Sequence, residues 1–464
     1  MIMNMKSTTK LFRITLLLSL LLTFNQCERL VDGLEVPSHP ANPEVFIDGF
    51  SSGLNYAAFG GSVPTAFQVD METTYGQSKA SMRIEVPDAN DSRGTYAGGA
   101  YFTSAPRDLS AFNVLTFWAK ASQATTLDIV GFGIDLAQNK YQASISGLDV
   151  NTHWKKYYIP IPDPQRLSAE RGMFFYSVGP KEGKGFTFWI DEVKFEQLGT
   201  IAHPRAVILE GKNETISSFA GVSTTISGLQ SLHNLPNGVD IAVNLTPSYF
   251  QFSSSDPSTA KVDANGNVSI IGGPSTAVIS AKLGDQQAAG SLTIVSQGVF
   301  QKAPVPDRPA NRVISIFSDA YQNVPVDYYN GYWQPYQTTQ SADFEFEGDK
   351  VLHYTNFNFV GIQFSSPTVN ASSMTHLHID VFLPNPLPSA GRFKIELVNF
   401  NTGGTGVFTR TIAASDARKW ISLDIPLSSF QGLSGRANLA QIIFVNESGN
   451  IPSVFVDNVY FYQQ

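Results

Sequence analysis

One long pattern occurs twice in this chain. Trp154-Lys155-Lys156-Tyr157-Tyr158-Ile159-Pro160 is answered by Trp420-Ile421-Ser422-Leu423-Asp424-Ile425-Pro426. In both places an aspartate flanked by apolar residues follows the tryptophan by 37 residues: Ile190-Asp191-Glu192-Val193 and Val456-Asp457-Asn458-Val459. Upstream, Leu115-Thr116-Phe117-Trp118-Ala119 parallels Leu377-His378-Ile379-Asp380-Val381, and Val45-Phe46-Ile47-Asp48 parallels Ile316-Phe317-Ser318-Asp319. Matches in one order mean two diverged copies of one unit, about 45–198 and 311–464.

The segments inside each copy are short and alternate apolar with polar residues. Gly, Asn, Asp, Ser and Pro separate them. Such alternation reads as strands of a sandwich, clearest at Leu115–Ala119, Lys155–Ile161 and Phe186–Phe195. No long helical pattern is present. With 33 Phe, 17 Tyr and only 15% charged residues, the composition is that of exported β-rich modules. A net charge of −8 without basic runs argues against a nucleic-acid partner and leaves neutral polymers open.

The chain opens with Lys6, Lys10 and Arg13, then an apolar run from Ile14 to Phe24, then Asn25, Gln26 and Cys27, the only cysteine. This is the layout of an export signal, and the run is about half the roughly 20 residues a spanning helix needs. A cysteine at the processing point resembles the lipobox of bacterial lipoproteins, although Phe24-Asn25-Gln26 stand where small residues are usual. The resemblance implies acylation of Cys27 and an outer-membrane, surface-exposed lipoprotein. An ordinary signal peptide with an incidental cysteine is the alternative. No cysteine remains after Cys27 for an internal disulfide, and the chain is long enough to bury cores without one. Residues 28–44 read as a tether.

Residues 203–297 are a different module. Phe252-Ser253-Ser254-Ser255-Asp256, the hairpin Val262-Asp263-Ala264-Asn265-Gly266 and the strand Thr276–Ala281 resemble a bacterial Ig-like group 2 domain, which implies a spacer. Asn-Gly suits a tight hairpin on its own chemistry. Residues 298–310 read as a Pro-stiffened linker.

Candidate site residues follow from alternation. Leu115, Phe117 and Ala119 share one strand face and leave Trp118 on the other; Phe188 and Ile190 leave Trp189 likewise. Indoles on an open sheet face can stack on the C–H faces of sugar rings. Trp154 and Trp420 recur at strand starts and are expected in the core. The densest aromatic cluster is Tyr328-Tyr329-Asn330-Gly331-Tyr332-Trp333-Gln334-Pro335-Tyr336. Asn-Gly and Pro place it in a loop, with rings for stacking and amides for hydroxyls. Tyr329, Tyr332, Trp333 and Tyr336 are the glycan-binding candidates there.

Asp48 with Asp191, and Asp319 with Asp457, sit near the two ends of each copy. Where terminal strands are neighbours, these pairs are expected either to hold a structural Ca²⁺ through oxygen ligands or to cap a turn. His376 and His378 share a strand face but lack a third ligand, so ordinary strand residues are expected. Glu85, Glu345, Glu347 and Glu396 show no spacing that fixes an acid/base pair. No nucleophile turn or phosphate loop is present, and no catalytic residue is assigned.

The C-terminal copy resembles a module appended to exported β-glucan-degrading enzymes and lipoproteins. The carrying residues are Ile314–Tyr321, Ser373–Asp380, Trp420 with Ile425-Pro426, and Val456–Phe461. The N-terminal copy is similar to galactose-binding-like carbohydrate-binding modules. The whole layout resembles multimodular surface glycan-binding lipoproteins of polysaccharide-utilisation systems. That resemblance implies an all-β chain: two jelly-roll sandwiches separated by an Ig-like sandwich. It also implies a non-enzyme that captures polysaccharide, laminarin-type β-1,3-glucan by analogy, and passes it to a TonB-dependent transporter. A glycoside hydrolase or lyase with a diverged sandwich, and an adhesin for protein, are the alternatives.

Overall fold

The structure is a computed structural model, and it describes residues 39–201, 205–346, 348–400 and 404–464. Cys27, the export segment and most of the tether lie outside the described residues. The chain is all-β, with strands joined by turns and a few single-turn 3-10 segments. Among the described residues no helix is long and apolar enough to cross a membrane. The chain divides into two units. The first takes the described residues up to Arg205 together with Gln230–Tyr249; the second takes Ala206–Leu229 and Phe250–Gln464.

In the first unit, one sheet runs Lys155–Pro160, Val114–Ala121, Phe186–Glu196, Glu44–Ile47, with Ser81–Val86 also paired to Phe186–Glu196. The facing sheet carries Ala143–Val150, Thr125–Phe132, Glu170–Val178, Ala97–Arg107 and Leu54–Ala58 in order. Rings from opposite sheets meet between them: Phe117 and Phe174 at 5.7 Å, Phe188 and Tyr176 at 5.9 Å. Each is fully buried, a gain of about 1.5–3 kcal/mol apiece. The hairpin Gln230–Asn234/Asp240–Leu245, which the sequence places in the middle module, extends this sheet. Asn244 pairs with Ser144 and Leu245 with Ala143. The edge strand Ala143–Val150 leaves backbone groups that a hairpin can satisfy. Buried Tyr249 fixes the junction, its hydroxyl donating to the Tyr141 carbonyl at 3.0 Å.

In the second unit, strands Asn213–Ala220, Ser291–Val299, Ser275–Leu283 and Phe250–Ser254 form one sheet of the middle module, and Ser223–Thr225, Asn267–Ile270 and Ala260–Val262 form the other. Gly266 takes φ +77° in the Asn-Gly hairpin, where Asp263 Oδ1 accepts from the Asn265 and Asn267 amides. The C-terminal sandwich pairs a sheet Gln340–Phe346, Asp349–Thr355, Ser453–Tyr462, His376–Phe382, Trp420–Pro426 with a sheet Tyr328–Gly331, Phe359–Gln363, Leu439–Asn446, Gly391–Asn399, Thr405–Ile412. Ile379, Phe393, Ile395, Phe444, Val456 and Phe461 fill the space between.

Strand Ser453–Tyr462 is buried at nearly every residue because both of its faces are covered. Phe219 of the middle module and Phe300 at the start of the linker lie 5.7 and 5.8 Å from Phe455 on the outer face. Further along, residues 303–309 lie against the same sheet: Asn458 Nδ2 donates to the Pro304 carbonyl and Tyr321 donates to that of Arg308. The expected Pro-rich linker is thus strapped to the sandwich.

Both copies share one backbone irregularity. A break in strand register falls at Asp191 and at Asp457, and the next residue, Glu192 or Asn458, has φ +46° or +50°. A bulge re-aims the side chain beside it, which is why an aspartate recurs there.

Candidate functional site

Alternation decides what the second sheet of the C-terminal sandwich shows to solvent. In Phe359–Gln363, Val360 and Ile362 point inward and are fully buried, so Phe359, Gly361 and Gln363 face out. The neighbouring strand aligns Val445, Ile443 and Gln441 beside them, and the next adds Lys394, Glu396 and Val398. Gly361 is the seat of the face. A Cβ there would come within 2.1 Å of Trp333 Cη2, so the indole lies directly on the glycine. Trp333 is near-parallel to Phe359, with centroids 6.0 Å apart and planes 18° apart.

The loop carrying Trp333 is fixed from below. Gln337, 3% exposed, accepts from the Trp333 amide and donates to Asn330 Oδ1 at 2.7 Å. Asn358 donates to the Tyr336 carbonyl and accepts from the Thr338 and Thr339 amides. Beside the indole, Gln363 Oε1 accepts from the Tyr328 hydroxyl and from Gln441 Nε2, both at 2.7 Å. Lys394 and Glu396 form an ion pair at 2.7 Å. The face therefore offers flat apolar rings, amides and a hydroxyl, with its one acid neutralised by its neighbour.

Each sequence candidate now has a place. Trp333 is half-buried on the face; Tyr332 and Tyr336, 59% and 77% exposed, stand on the same loop. Tyr329 turns the other way. It packs on the inter-sheet core 5.3 Å from Phe317, and its hydroxyl donates to the Ile316 carbonyl. Tyr328–Gly331 is a strand, so alternate residues take opposite sides and Tyr329 is lost to the core.

Trp118 and Trp189 do lie off the inter-sheet core, as alternation requires, but the strand Phe67–Asp70 and the loop after it use them. Tyr75 stacks on Trp118 at 3.7 Å and 15°, and Trp189 Nε1 donates to Asp70 at 2.8 Å. Trp154 and Trp420 are half-buried rather than in the inter-sheet core. Trp154 stands edge-on to Tyr75 at 6.1 Å, and Trp420 packs on Phe382 and Phe300 on the outer face. His378, one of the strand histidines, bonds Asp424 at 2.8 Å and stacks on Tyr460.

The acid pairs differ between the copies. In the first, Asp48 and Asp191 meet through Ser78, whose Oγ lies 3.0 Å from Asp48 Oδ1 and 3.1 Å from Asp191 Oδ1. The Lys79 amide donates to Asp48, and the Tyr75 and Glu192 amides donate to Asp191. The cluster is a closed turn clamp. In the second, the Lys350 amide donates to Asp319 as the Lys79 amide does to Asp48, but the residue before it is Asp349 instead of serine. Asp349 Oδ2 is buried without a partner. Burial, then repulsion from Asp349, Asp380 and Asp319, pushes Asp457 up to about 7. Among the described residues no three His, Cys, Asp or Glu side chains are arranged to hold a metal ion. An orphaned carboxylate oxygen beside a strained acid is nevertheless the donor chemistry a hard cation satisfies. Asp319, Asp349 and Asp457 are the residues that would hold such an ion.

Sequence reasoning missed Gly361, Phe359, Gln363, Gln441 and Asp349. One signal was available for Gly361: an isolated glycine inside a strand pattern marks close approach of another group.

No family model and no curated protein matches the chain. Solved structures do. The family 30 carbohydrate-binding module matches at 19% identity and TM-score 0.27, over 34% of this chain and 99% of the other. The family 11 module of Clostridium thermocellum in complex with a β-1,3-1,4-mixed-linked tetrasaccharide matches at 18% and 0.21, over 27% and 83%. A tandem pair of family 22 modules from Paenibacillus barcinonensis matches at 11% and 0.22, over 92% and 100%. Matches at this identity and score carry no functional conclusion.

Proposed function

We propose that this chain is a non-catalytic glycan-binding protein that holds neutral polysaccharide on the outward face built around Trp333. The observation that carries the reading is the indole resting its six-membered edge on Gly361 beside the Tyr328–Gln363–Gln441 network. An indole on an outward sheet face offers a π-face to the C–H side of a pyranose, and the amides meet its hydroxyls. The ion pair of Glu396 with Lys394 supports binding without hydrolysis, because a glycosidase needs two carboxylates free to act on the bond. Laminarin-type β-1,3-glucan is the proposed ligand, from the likeness of the C-terminal sequence to glucan-associated modules. Cys27 supports a lipid anchor at the outer membrane and delivery to a TonB-dependent transporter. Ca²⁺ is proposed at Asp319, Asp349 and Asp457, where it would stiffen the sandwich and take no part in chemistry.

Calorimetric titration against laminarin, mixed-linkage glucan, xylan and a charged glycan tests the reading. Saturable binding of a neutral glucan with no release of oligosaccharides is expected. Absence of binding to every neutral polymer refutes it, and oligosaccharide release would return the chain to the hydrolase class.

A further inference from the structure

The outer face of the other C-terminal sheet holds a second feature. Strands Asp349–Thr355 and Ser453–Tyr462 set His353 opposite Phe455. Their rings are parallel within 6° at 4.0 Å, and Phe344 stands against Phe455 at 5.2 Å. Phe219 and Phe300 cover part of this apolar face, but the cover is incomplete. A cleft of about 420 Å³ remains between it and the middle-module strand Asn213–Ala220, within the size range of small-ligand sites.

Three properties of the cleft define what it can take. No Asp, Glu, Lys or Arg lines it. Its histidine is bonded to the Ser453 hydroxyl at 3.0 Å, and burial holds the imidazole down to about 4, so it is neutral at physiological pH. Hydroxyls and amides of Ser217, Thr224, Gln297, Thr355 and Asn385 interrupt the apolar wall. Gln297 donates to Ser217 Oγ at 2.6 Å, and its own Oε1 is buried without a partner. An unmet buried acceptor destabilises the cleft until a donor arrives.

An anion finds no cation here and a cation finds no carboxylate. A purely apolar ligand would strand the amides. An uncharged ring with one apolar face and hydroxyl donors at its edge fits all three properties. We propose that this cleft is a second saccharide site that takes one or two residues of the same neutral polysaccharide, with a hydroxyl donating to Gln297 Oε1. The proposal rests on the glycan-binding reading of the Trp333 face. Two sites on one compact unit raise the avidity for a long polymer without any new contact at either.

The test uses the full chain and a β-1,3-glucan hexasaccharide in calorimetry, with Trp333→Ala, Ser217→Trp and the double variant. Ser217 is exposed on its strand, so a bulky ring there blocks the cleft without entering the core. Each single substitution is expected to remove one equivalent of bound sugar, and the double variant to remove both. Asn385→Trp blocks the cleft from its other wall and serves if Ser217→Trp fails to fold. An isotherm unchanged by either blocking variant, while Trp333→Ala removes binding, overturns the cleft and leaves the face intact. Loss on blocking the cleft but not on Trp333→Ala overturns the face instead. No binding by the unsubstituted chain overturns both.

Discussion

Gly361→Ala tests the candidate face without touching any group that contacts ligand. The new Cβ would stand 2.1 Å from Trp333 Cη2, 2.8 Å from Cζ3 and 3.0 Å from Cζ2. Carbon atoms rest at about 3.5–4.0 Å, so the ring must retreat by about 1.5 Å. Gly361 is not in the left-handed region, so alanine meets no backbone strain. Overpacking costs about 1–3 kcal/mol, against which alanine in a strand recovers about 0.5–1 kcal/mol. Trp333 is only half-buried and can swing outward, which puts the net loss of stability near about 1 kcal/mol. The larger effect falls on binding. Losing one aromatic stack is worth about 1–3 kcal/mol by analogy with base stacking, or roughly 5- to 150-fold in Kd. Calorimetry with a β-1,3-glucan oligosaccharide reads the affinity and urea denaturation reads the stability. Trp333→Ala should weaken binding by the same roughly 1–3 kcal/mol. In that background Gly361→Ala has no ring to displace and should cost no further affinity. A Gly361→Ala protein that folds and binds within twofold of the original refutes the seating argument, as does an equal loss in both backgrounds.

Trp118→Ala should destabilise the first unit by about 2 kcal/mol for a half-buried indole, read as a lower thermal midpoint, and leave the glucan Kd of the full chain unchanged; weaker binding would restore that face as a site. Asp457 is held up at about 7, so without a cation its ionisation opposes folding: stability should fall as pH rises from about 4 to about 7 and level off above. Millimolar Ca²⁺ at pH 8 should raise the thermal midpoint of the native chain but not of Asp457→Asn; equal response of both would remove the cation from this cluster. Burial alone would lower His378, but Asp380 and Asp424 outweigh it and hold the imidazole above its usual value. Its contribution is present below about pH 6.5 and lost as pH rises through the raised folded value, so His378→Gln should destabilise more at pH 6 than at pH 9, by about 1–3 kcal/mol at the lower pH; a pH-independent loss would rule out the charge.

The strands were legible because alternation is a local signal, and the repeat was legible because its marks are local too. Asp191 and Asp457 recur at a bulge that only short-range backbone geometry requires. What alternation leaves open is which of two sheets a face belongs to and what covers it. Trp118 and Trp189 lie off the inter-sheet core, as their strands predict, yet Asp70 at a strand end and Tyr75 in the loop after it reach them from some 40 to 120 residues away in sequence. Asn-Gly and Pro around Tyr329 predict a loop, but one strand pairing, Tyr328 with Gln363, is enough to turn it inward. The hairpin at 230–245 has ordinary strand chemistry, and nothing within it names the edge it joins.

The position before Lys79 and Lys350 shows how two copies of one fold part company. Both lysine amides hold the first aspartate of the pair, so the backbone is the same. Ser78 brings a neutral hydroxyl between Asp48 and Asp191, and the clamp closes on itself. Asp349 brings a third negative charge to Asp319 and Asp457, leaves an oxygen without a donor and raises Asp457. A hydroxyl there makes a finished turn; a carboxylate makes one that only a proton or a cation completes. Asp349→Ser should therefore move the second cluster toward the first: Asp457 loses one repulsive neighbour while burial still holds it up, so the pH 4–7 slope of stability becomes shallower, and the Ca²⁺ response disappears. Retention of the Ca²⁺ response would show that the cation sits elsewhere.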